Sequence, residues 1–331
     1  VKLLLVGSFW EFSLETSYRR AFELIGVEVV PFNWDQYYQQ NLLAKTRVSE
    51  KLFRQAIALA TGKELIAAVQ KENPDLVFVI KGRFIVPETL IQVKKILGDR
   101  PLMNFNPDSP WSKPNSTTTL LESIPIYDLH FTWSHDLVGR FQESGAKRVE
   151  YLPFAYDPAL HFPPENIGHR GQLPEYDAVF VGTYDPVRDS LISQLIDFRI
   201  AIWGNDWHRS SLVPKECIKE VAVYGAASND LLDKGVVALN LLREQNANSH
   251  NMRTFEIPAT AHTMLTDRTV EQLSFFEEGK EIECFASIDE LRSKLKFLIS
   301  SEAGKEYGRH AFERVREETY SKRARAILDA L

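Results

Sequence analysis

The feature that most limits the fold of this sequence is a regular alternation. Short runs rich in Val, Ile, Leu and Phe are separated by longer segments whose apolar residues recur with helical period. Runs that are apolar throughout belong to strands covered on both faces, and a helix is the usual way to cross from one parallel strand to the next. The fold class is therefore α/β. In the first half, strands are expected at 2–6, 27–32, 75–80, 102–106, 129–133 and 148–152, with helices near 14–25, 50–71, 87–97, 117–123 and 136–144. Gly26 and Gly145 fall where a left-handed cap would end two of these helices. The stretch from His161 to Tyr176, HFPPENIGHRGQLPEY, has three prolines, two glycines and no apolar period, and reads as a linker. The alternation then restarts, with strands at 178–181, 199–203, 236–241, 263–265 and 281–285 and helices near 187–196, 252–260, 270–276 and 288–299. Ser287-Ile-Asp-Glu290 spells a capping box for the last of these.

A chain of 331 residues corresponds to about two domains at roughly 150 residues each. The expected limits are 1–165 for the first and 175–314 for the second. A charged helical segment follows from Glu302, and its last helix, about 315–331, is expected to fold back on the first domain. Two Rossmann-like, doubly wound domains in tandem would leave an inter-domain cleft at the carboxyl ends of both sheets, where such sheets bind ligands.

Charge and cysteine content narrow the partners. Thirty-nine basic against 45 acidic residues leave −6, which argues against a non-specific binder of nucleic acid or of anionic membranes. Local basic sites, and a peripheral membrane contact, stay compatible with that balance. Cys217 and Cys284 belong to no CxxC or Cys/His cluster, so they imply neither a disulfide framework nor a structural zinc site, and both are expected as buried thiols. The opening VKLLLVGSF is too short for a signal peptide or a membrane span, and a cytoplasmic enzyme is expected.

The turns after the first strand of each half are Gly7-Ser-Phe-Trp10 and Gly182-Thr183-Tyr-Asp185. Neither completes GxGxxG and no P-loop is present, which counts against a nicotinamide or flavin dehydrogenase and a Walker-type NTPase. Gly182 would let a phosphate approach the amides of the following helix start, unless it serves only the turn. The densest polar run, NLLREQNANSHNMRTFE at 240–256, follows an apolar strand and holds two fixed cations, Arg243 and Arg253. Guanidinium groups there suit a diphosphate. Glu256 could accept two hydrogen bonds from a vicinal diol such as a ribose. The competing reading has Glu256 only favouring a helix start and the arginines pairing with Glu244 on the surface.

The segment NLLREQNANSHNMRTFEIPAT (240–260), with MLTD (264–267) and FFEEGKEIECFASIDEL (275–291), resembles the C-terminal domain of the CgeB-like, spore-maturation type glycosyltransferases. These belong to the group-1, or family-4 type, enzymes of the GT-B fold. IKGRFIVPETL (80–90), NPDSPW (106–111), YDLHFTW (127–133), GAKRVEYLPFAYDPALHFP (145–163) and VFVGTYDPVRDSLI (179–192) extend the resemblance over nearly the whole chain.

The resemblance implies a UDP-, GDP- or dTDP-sugar donor on the C-terminal domain. It implies an acceptor on the N-terminal domain (glycan, protein or small molecule) and transfer to its hydroxyl with retention, without metal or other cofactor. Glu256 matches the second glutamate of the family's E-x7-E motif, which holds the ribose, whereas the first falls at Asn248. Asparagine can hydrogen-bond a sugar hydroxyl but carries no charge. Arg188 lies near the family's phosphate-binding arginine, and Arg243 or Arg253 would stand in for a missing lysine. Tyr224, in a Val221–Gly225 strand and turn, is available to stack on the base, with Trp203 lining the same pocket. Gly182, Thr183 and Asn251 complete the donor side, and His250 would hydrogen-bond the departing phosphate.

On the acceptor side Asp108, on a loop before Pro110, would contact the acceptor or act as base, unless it only turns the chain. Gly7, Lys81, Arg83 and His135 join it, against readings as turn, solvated loop charges and helix cap. The alternatives to a transferase are a non-catalytic nucleotide-sugar-binding protein and a sugar-nucleotide epimerase of the same fold.

Overall fold

Six parallel strands form the sheet of the first unit: β1 (Lys2–Gly7), β2 (Glu28–Asn33), β3 (Leu76–Ile80), β4 (Leu102–Phe105), β5 (Leu129–Thr132) and β6 (Val149–Tyr151), in the order β2-β1-β3-β4-β5-β6. In β3 every residue is buried, as a strand covered on both faces requires. The helices are α1 (Leu14–Leu24), α2 (Trp34–Gln40), α3 (Arg47–Glu72), α4 (Pro87–Leu97), α5 (Thr118–Ser123) and α6 (His135–Glu143). Ser13 starts α1 by accepting from the Thr16 amide, and Pro87 occupies the first turn of α4, where its missing N–H costs nothing. Gly26 and Gly145 both take positive φ after helix ends. The short α2 shows no apolar period because only Trp34 of its seven residues is buried, so the sequence pattern passes over it.

The second unit repeats the plan. Its strands are β7 (Tyr176–Val181), β8 (Ile200–Trp203), β9 (Ile218–Glu220), β10 (Gly235–Asn240), β11 (Met264–Asp267) and β12 (Glu283–Phe285), all parallel, in the order β12-β11-β10-β7-β8-β9. The helices are α7 (Pro186–Ser193), α8 (Ala227–Leu232), α9 (Arg253–Ala259), α10 (Val270–Phe275), α11 (Ile288–Ser300) and α12 (Ala303–Val315), and then comes α13 (Tyr320–Asp329). The capping box of α11 is displaced by one residue: Ser287 accepts from the Glu290 amide, but the Glu290 carboxylate takes the amide of Ala286 rather than that of Ser287. Cys284 is buried and Cys217 only half-buried, against the expectation of two buried thiols.

The computed structural model describes residues 1–113, 115–163, 174–220 and 222–331. It divides into one unit of residues 1–153 with 320–331, and another of 154–319. Of the stretch read as a linker, residues 164–173 lie outside the described residues, and so does the first-domain limit at 165. Helix α13 is counted with the first unit: Tyr320 packs on Tyr18 with ring centroids 5.0 Å apart, Arg323 Nε donates to the Pro153 carbonyl (2.9 Å), and Arg148 Nη1 donates to the Ala330 carbonyl (2.6 Å). No helix among the described residues is long and apolar enough to cross a membrane.

The strand orders fix where each unit can bind a ligand. In the first unit the chain builds β2 on one side of β1 and then β3 to β6 on the other. In the second it builds β8 and β9 on one side of β7, then β10 to β12 on the other. Connections leave in opposite directions at β1/β3 and at β7/β10, so a crevice opens beyond the carboxyl ends of those strand pairs.

Candidate functional site

The Arg188 side chain spans the β7/β10 point of the second unit. Arg188, in the first turn of α7, is buried at 7% exposure. Its Nε donates to the carbonyl of Leu241, just past β10 (2.8 Å), and its Nη1 to the carbonyl of Thr183, just past β7 (3.1 Å). The guanidinium lies over the Phe180 ring, 5.3 Å from its centroid. Burial pulls its pKa down to about 10, and the neighbouring charges of Arg243 and Arg253 push the same way. Three guanidinium groups therefore converge where the strand order reverses.

Only one of the other two has a carboxylate partner. Arg253 opens α9 and meets Glu256 one turn on, Nη1 to Oε2 at 3.0 Å. Among the described residues the half-buried Arg243 side chain makes no hydrogen bond or ion pair. Neither arginine pairs with Glu244, so the surface ion pairs of the competing reading are absent among the described residues. A like-charge cluster held open in this way is costly unless an anion completes it.

Glycines set the shape beneath the cluster. The Gly182 amide donates to the Trp203 carbonyl (2.8 Å), and the indole of Trp207 donates to the Gly182 carbonyl (2.8 Å). A Cβ on Gly204 would lie 1.9 Å from that same carbonyl oxygen, so the β8 turn needs glycine for the close approach of two backbones. Thr183 contributes its carbonyl to Arg188.

Glu256 is 7% exposed. Arg253 holds its Oε2, and its Oε1 stands 4.0 Å from Nε2 of His161, a residue the sequence patterns did not single out. His161 is enclosed, its Nδ1 has no partner, and burial holds its imidazole below the ordinary value although Glu256 opposes that shift. Asp267, at the end of β11, also escaped notice: it accepts the Leu242 amide (2.8 Å), and burial pushes its carboxyl up.

Several expected donor contacts take structural roles instead. His250 is fully enclosed: its Nε2 accepts the Phe154 amide (3.1 Å), its Nδ1 meets Glu271 (2.6 Å), and Phe154, Phe255 and Phe275 surround the ring. It has no face left for a departing phosphate. Asn251 caps α9, its Oδ1 accepting from the Thr254 amide (3.1 Å) while its Nδ2 donates to Asn240 (2.9 Å). Trp203 is a core residue at 7% exposure, edge-on to Tyr176. The strand expected at Val221–Gly225 is instead β9, ending at Glu220, and Val221 lies outside the described residues. Tyr224 falls in irregular chain, 42% exposed, its hydroxyl accepting from Asn205 Nδ2 (3.0 Å). Asn248 is exposed on the turn before α9.

In the first unit a cavity of about 190 Å³ opens at the β1/β3 point, walled by Gly7 at the end of β1 and Ser8 after it, Trp34 and Asp35 beyond β2, and Lys81 to Ile85 beyond β3. Lys81 and Gly82 take positive φ, 68° and 73°, which for Lys81 is a strained conformation found disproportionately at binding sites. The Lys81 ammonium pairs with Asp108 (2.9 Å), so two expected acceptor-side residues meet. Gly7 is packed against Glu15, whose Cγ would lie 2.4 Å from an added Cβ. Glu15 accepts the Ser8 amide (3.2 Å), and burial pushes its carboxyl up. His135 is exposed and stacked flat on Tyr151 (centroids 3.7 Å), away from the residues that wall the cavity.

Residues 187–329 match the family described as glycosyl transferase-like. No curated protein sequence matches the chain. Among solved structures, the chain is similar to Anabaena Alr3699/HepE in complex with UDP-glucose (11% identity, TM-score 0.68, 100% of both chains). It is also similar to the sucrose-phosphate synthase of Thermosynechococcus elongatus (11%, 0.68, 99% of this chain and 98% of that one). A third is the E. coli trehalose-6-phosphate protein bound with UDP-2-fluoro glucose (13%, 0.62, 100% and 98%). The chain has the GT-B fold, two parallel-sheet α/β domains, and the part of it that holds Arg188, Arg243, Arg253 and Glu256 matches a glycosyl transferase-like family.

Proposed function

We propose that the protein is a glycosyltransferase that binds a nucleoside-diphosphate sugar on its second unit and passes the sugar to an acceptor hydroxyl. The observation that carries this reading is the convergence of Arg188, Arg243 and Arg253 at the β7/β10 point, with Glu256 beside them. Charge builds on the leaving phosphate oxygen as the bond to the anomeric carbon breaks, and preorganised cations in a dry site stabilise it most. Three guanidiniums supply that charge without a metal. The acceptor oxygen forms the new bond to the anomeric carbon as its proton passes to the leaving diphosphate, and retention of configuration is the expected outcome. Glu256, with one oxygen held by Arg253, keeps the other for the ribose diol. The donors of structures with the same fold, UDP-glucose and UDP-2-fluoro glucose, make a UDP-sugar the first to try.

Arg243→Ala tests the reading, because this side chain has no hydrogen-bond or ion-pair partner among the described residues to lose. Turnover of donor should fall by roughly two to three orders of magnitude, the size of single oxyanion-donor effects, with the melting temperature unchanged. Undiminished turnover refutes the assignment. Asn248, where the family motif has a carboxylate, favours a second reading in which the site binds nucleotide sugar without transferring it. Tight UDP-sugar binding with neither transfer nor donor hydrolysis would select that one.

A further inference from the structure

The cavity at the β1/β3 point of the first unit holds three polar groups that the protein leaves unsatisfied. Trp34 is 95% buried and its indole N–H is enclosed without an acceptor. The Asp35 carboxylate, next in sequence, has no hydrogen bond or ion pair among the described residues. Arg83 has a buried Nε without a partner among the described residues, and its guanidinium lies over the face of Phe84, 5.2 Å from the ring centroid. An indole N–H withheld from water is costly unless an oxygen comes to it.

From these groups we infer that the cavity binds an uncharged, polyhydroxylated ring, the acceptor of the reaction proposed above, with Trp34 and Asp35 as its recognition residues. The inference rests on the glycosyltransferase reading only for the word acceptor; the binding chemistry stands on the cavity. Residues with unpaired donors and one with an unpaired acceptor line the same cavity, and a hydroxyl answers both because it donates once and accepts twice. Val6, Ile80 and Phe84 supply the apolar surface that the C–H face of a sugar ring covers. A volume of about 190 Å³, against about 30 Å³ for each water in the liquid, suits one ring rather than a chain.

The charges select against a phosphorylated ring. Asp108 already neutralises Lys81. Asp35 keeps its own negative charge on the cavity lining, and a phosphate dianion bound there would be repelled by it. A neutral sugar gives Asp35 the hydrogen-bond donors it lacks and brings no charge to oppose it.

The test uses the full chain labelled with ¹⁵N, whose six tryptophans give distinct indole N–H signals. Trp34→Phe identifies one of them, and Asp35→Asn, which alters a half-exposed carboxylate, serves as the second variant should the first fold poorly. Methyl glycosides of glucose, galactose and mannose are titrated, followed by glucose 6-phosphate and then UDP. One neutral glycoside should shift the Trp34 signal saturably and bind at least tenfold more tightly than glucose 6-phosphate. Asp35→Asn should weaken the glycoside roughly tenfold and shrink that preference. A Trp34 signal that answers to no glycoside, or tighter binding of glucose 6-phosphate, overturns the inference. Trp207, whose indole holds the Gly182 carbonyl in the second unit, reports UDP separately. UDP binding with a silent Trp34 defeats this inference alone, whereas failure of UDP to bind defeats the transferase reading.

Discussion

Arg188 carries a prediction that separates stability from function. Its guanidinium sits at 7% exposure with its pKa pulled down to about 10, against an ordinary value above about 12. The protonated form is therefore disfavoured in the folded protein by about 3 kcal/mol at roughly 1.4 kcal/mol per decade. At neutral pH this penalty is fully present. The unfolded chain holds the proton more tightly than the folded one, so the penalty is relieved only as pH rises past 10, far above working conditions. Against it stand two hydrogen bonds from a charged donor to the Leu241 and Thr183 carbonyls, each contributing about 1.5–3 kcal/mol. The bonds together contribute about 3–6 kcal/mol, so the net effect of the group lies between about 0 and 3 kcal/mol. Arg188→Met, which keeps an unbranched apolar stem and removes the charge, should thus lower unfolding stability by no more than about 3 kcal/mol. Yet it should weaken UDP by at least about thirtyfold, because a desolvated cation lost from an ion pair costs about 2–5 kcal/mol. Urea unfolding and titration calorimetry with UDP measure the two quantities. Affinity within threefold of the wild type refutes the site, and a stability loss beyond about 3 kcal/mol refutes the idea that the empty site is strained by its own charge.

Gly204→Ala should lower the melting temperature of the second unit severely, because the new Cβ would meet the Gly182 carbonyl at 1.9 Å and neither backbone can retreat without parting β7 from β8; calorimetry that shows a shift under about 2 °C contradicts this contact. His130 in β5 is buried with Nε2 on the Ile124 carbonyl (2.8 Å), and burial takes its pKa to about 4. The unfolded chain gains this proton near pH 6.5 and the folded chain only near pH 4, so stability is lost as pH falls through that window, by up to about 3 kcal/mol. Stability curves of wild type and His130→Asn between pH 7 and pH 4 should converge at the acid end; parallel curves would show that another group titrates.

Much of the architecture was legible because its strands are covered on both faces. A run such as LVFVI at 76–80 admits few other interpretations, and α4 begins and ends at the expected residues because Pro87 and Gly98 mark it chemically. Elements whose stability comes from tertiary contact were not legible. β9 has three residues and a register shift against β8, and α2 and α8 are too short to show a period. At the site, the arginines could be read because nothing else in 240–256 carries fixed positive charge. His250 misled for a physical reason: a histidine between polar residues looks available, and only the fold brings Phe154, Phe255 and Phe275 around it. His161 and Trp34 show the reverse. Each stands in an unremarkable local sequence, and its interest comes from a partner distant in the chain or from a missing one.

The assignment of α13 to the first unit bears on how the molecule is made. Residues 320–331 leave the ribosome after all of 154–319, yet they pack on Tyr18 and hold the Pro153 carbonyl. During synthesis the earlier sheet must therefore wait, with one side of α1 uncovered, while the later lobe is translated and becomes free to fold. A nascent chain stalled before Tyr320 would expose the aromatic flank of Tyr18 and Phe22, a natural place for a chaperone to engage.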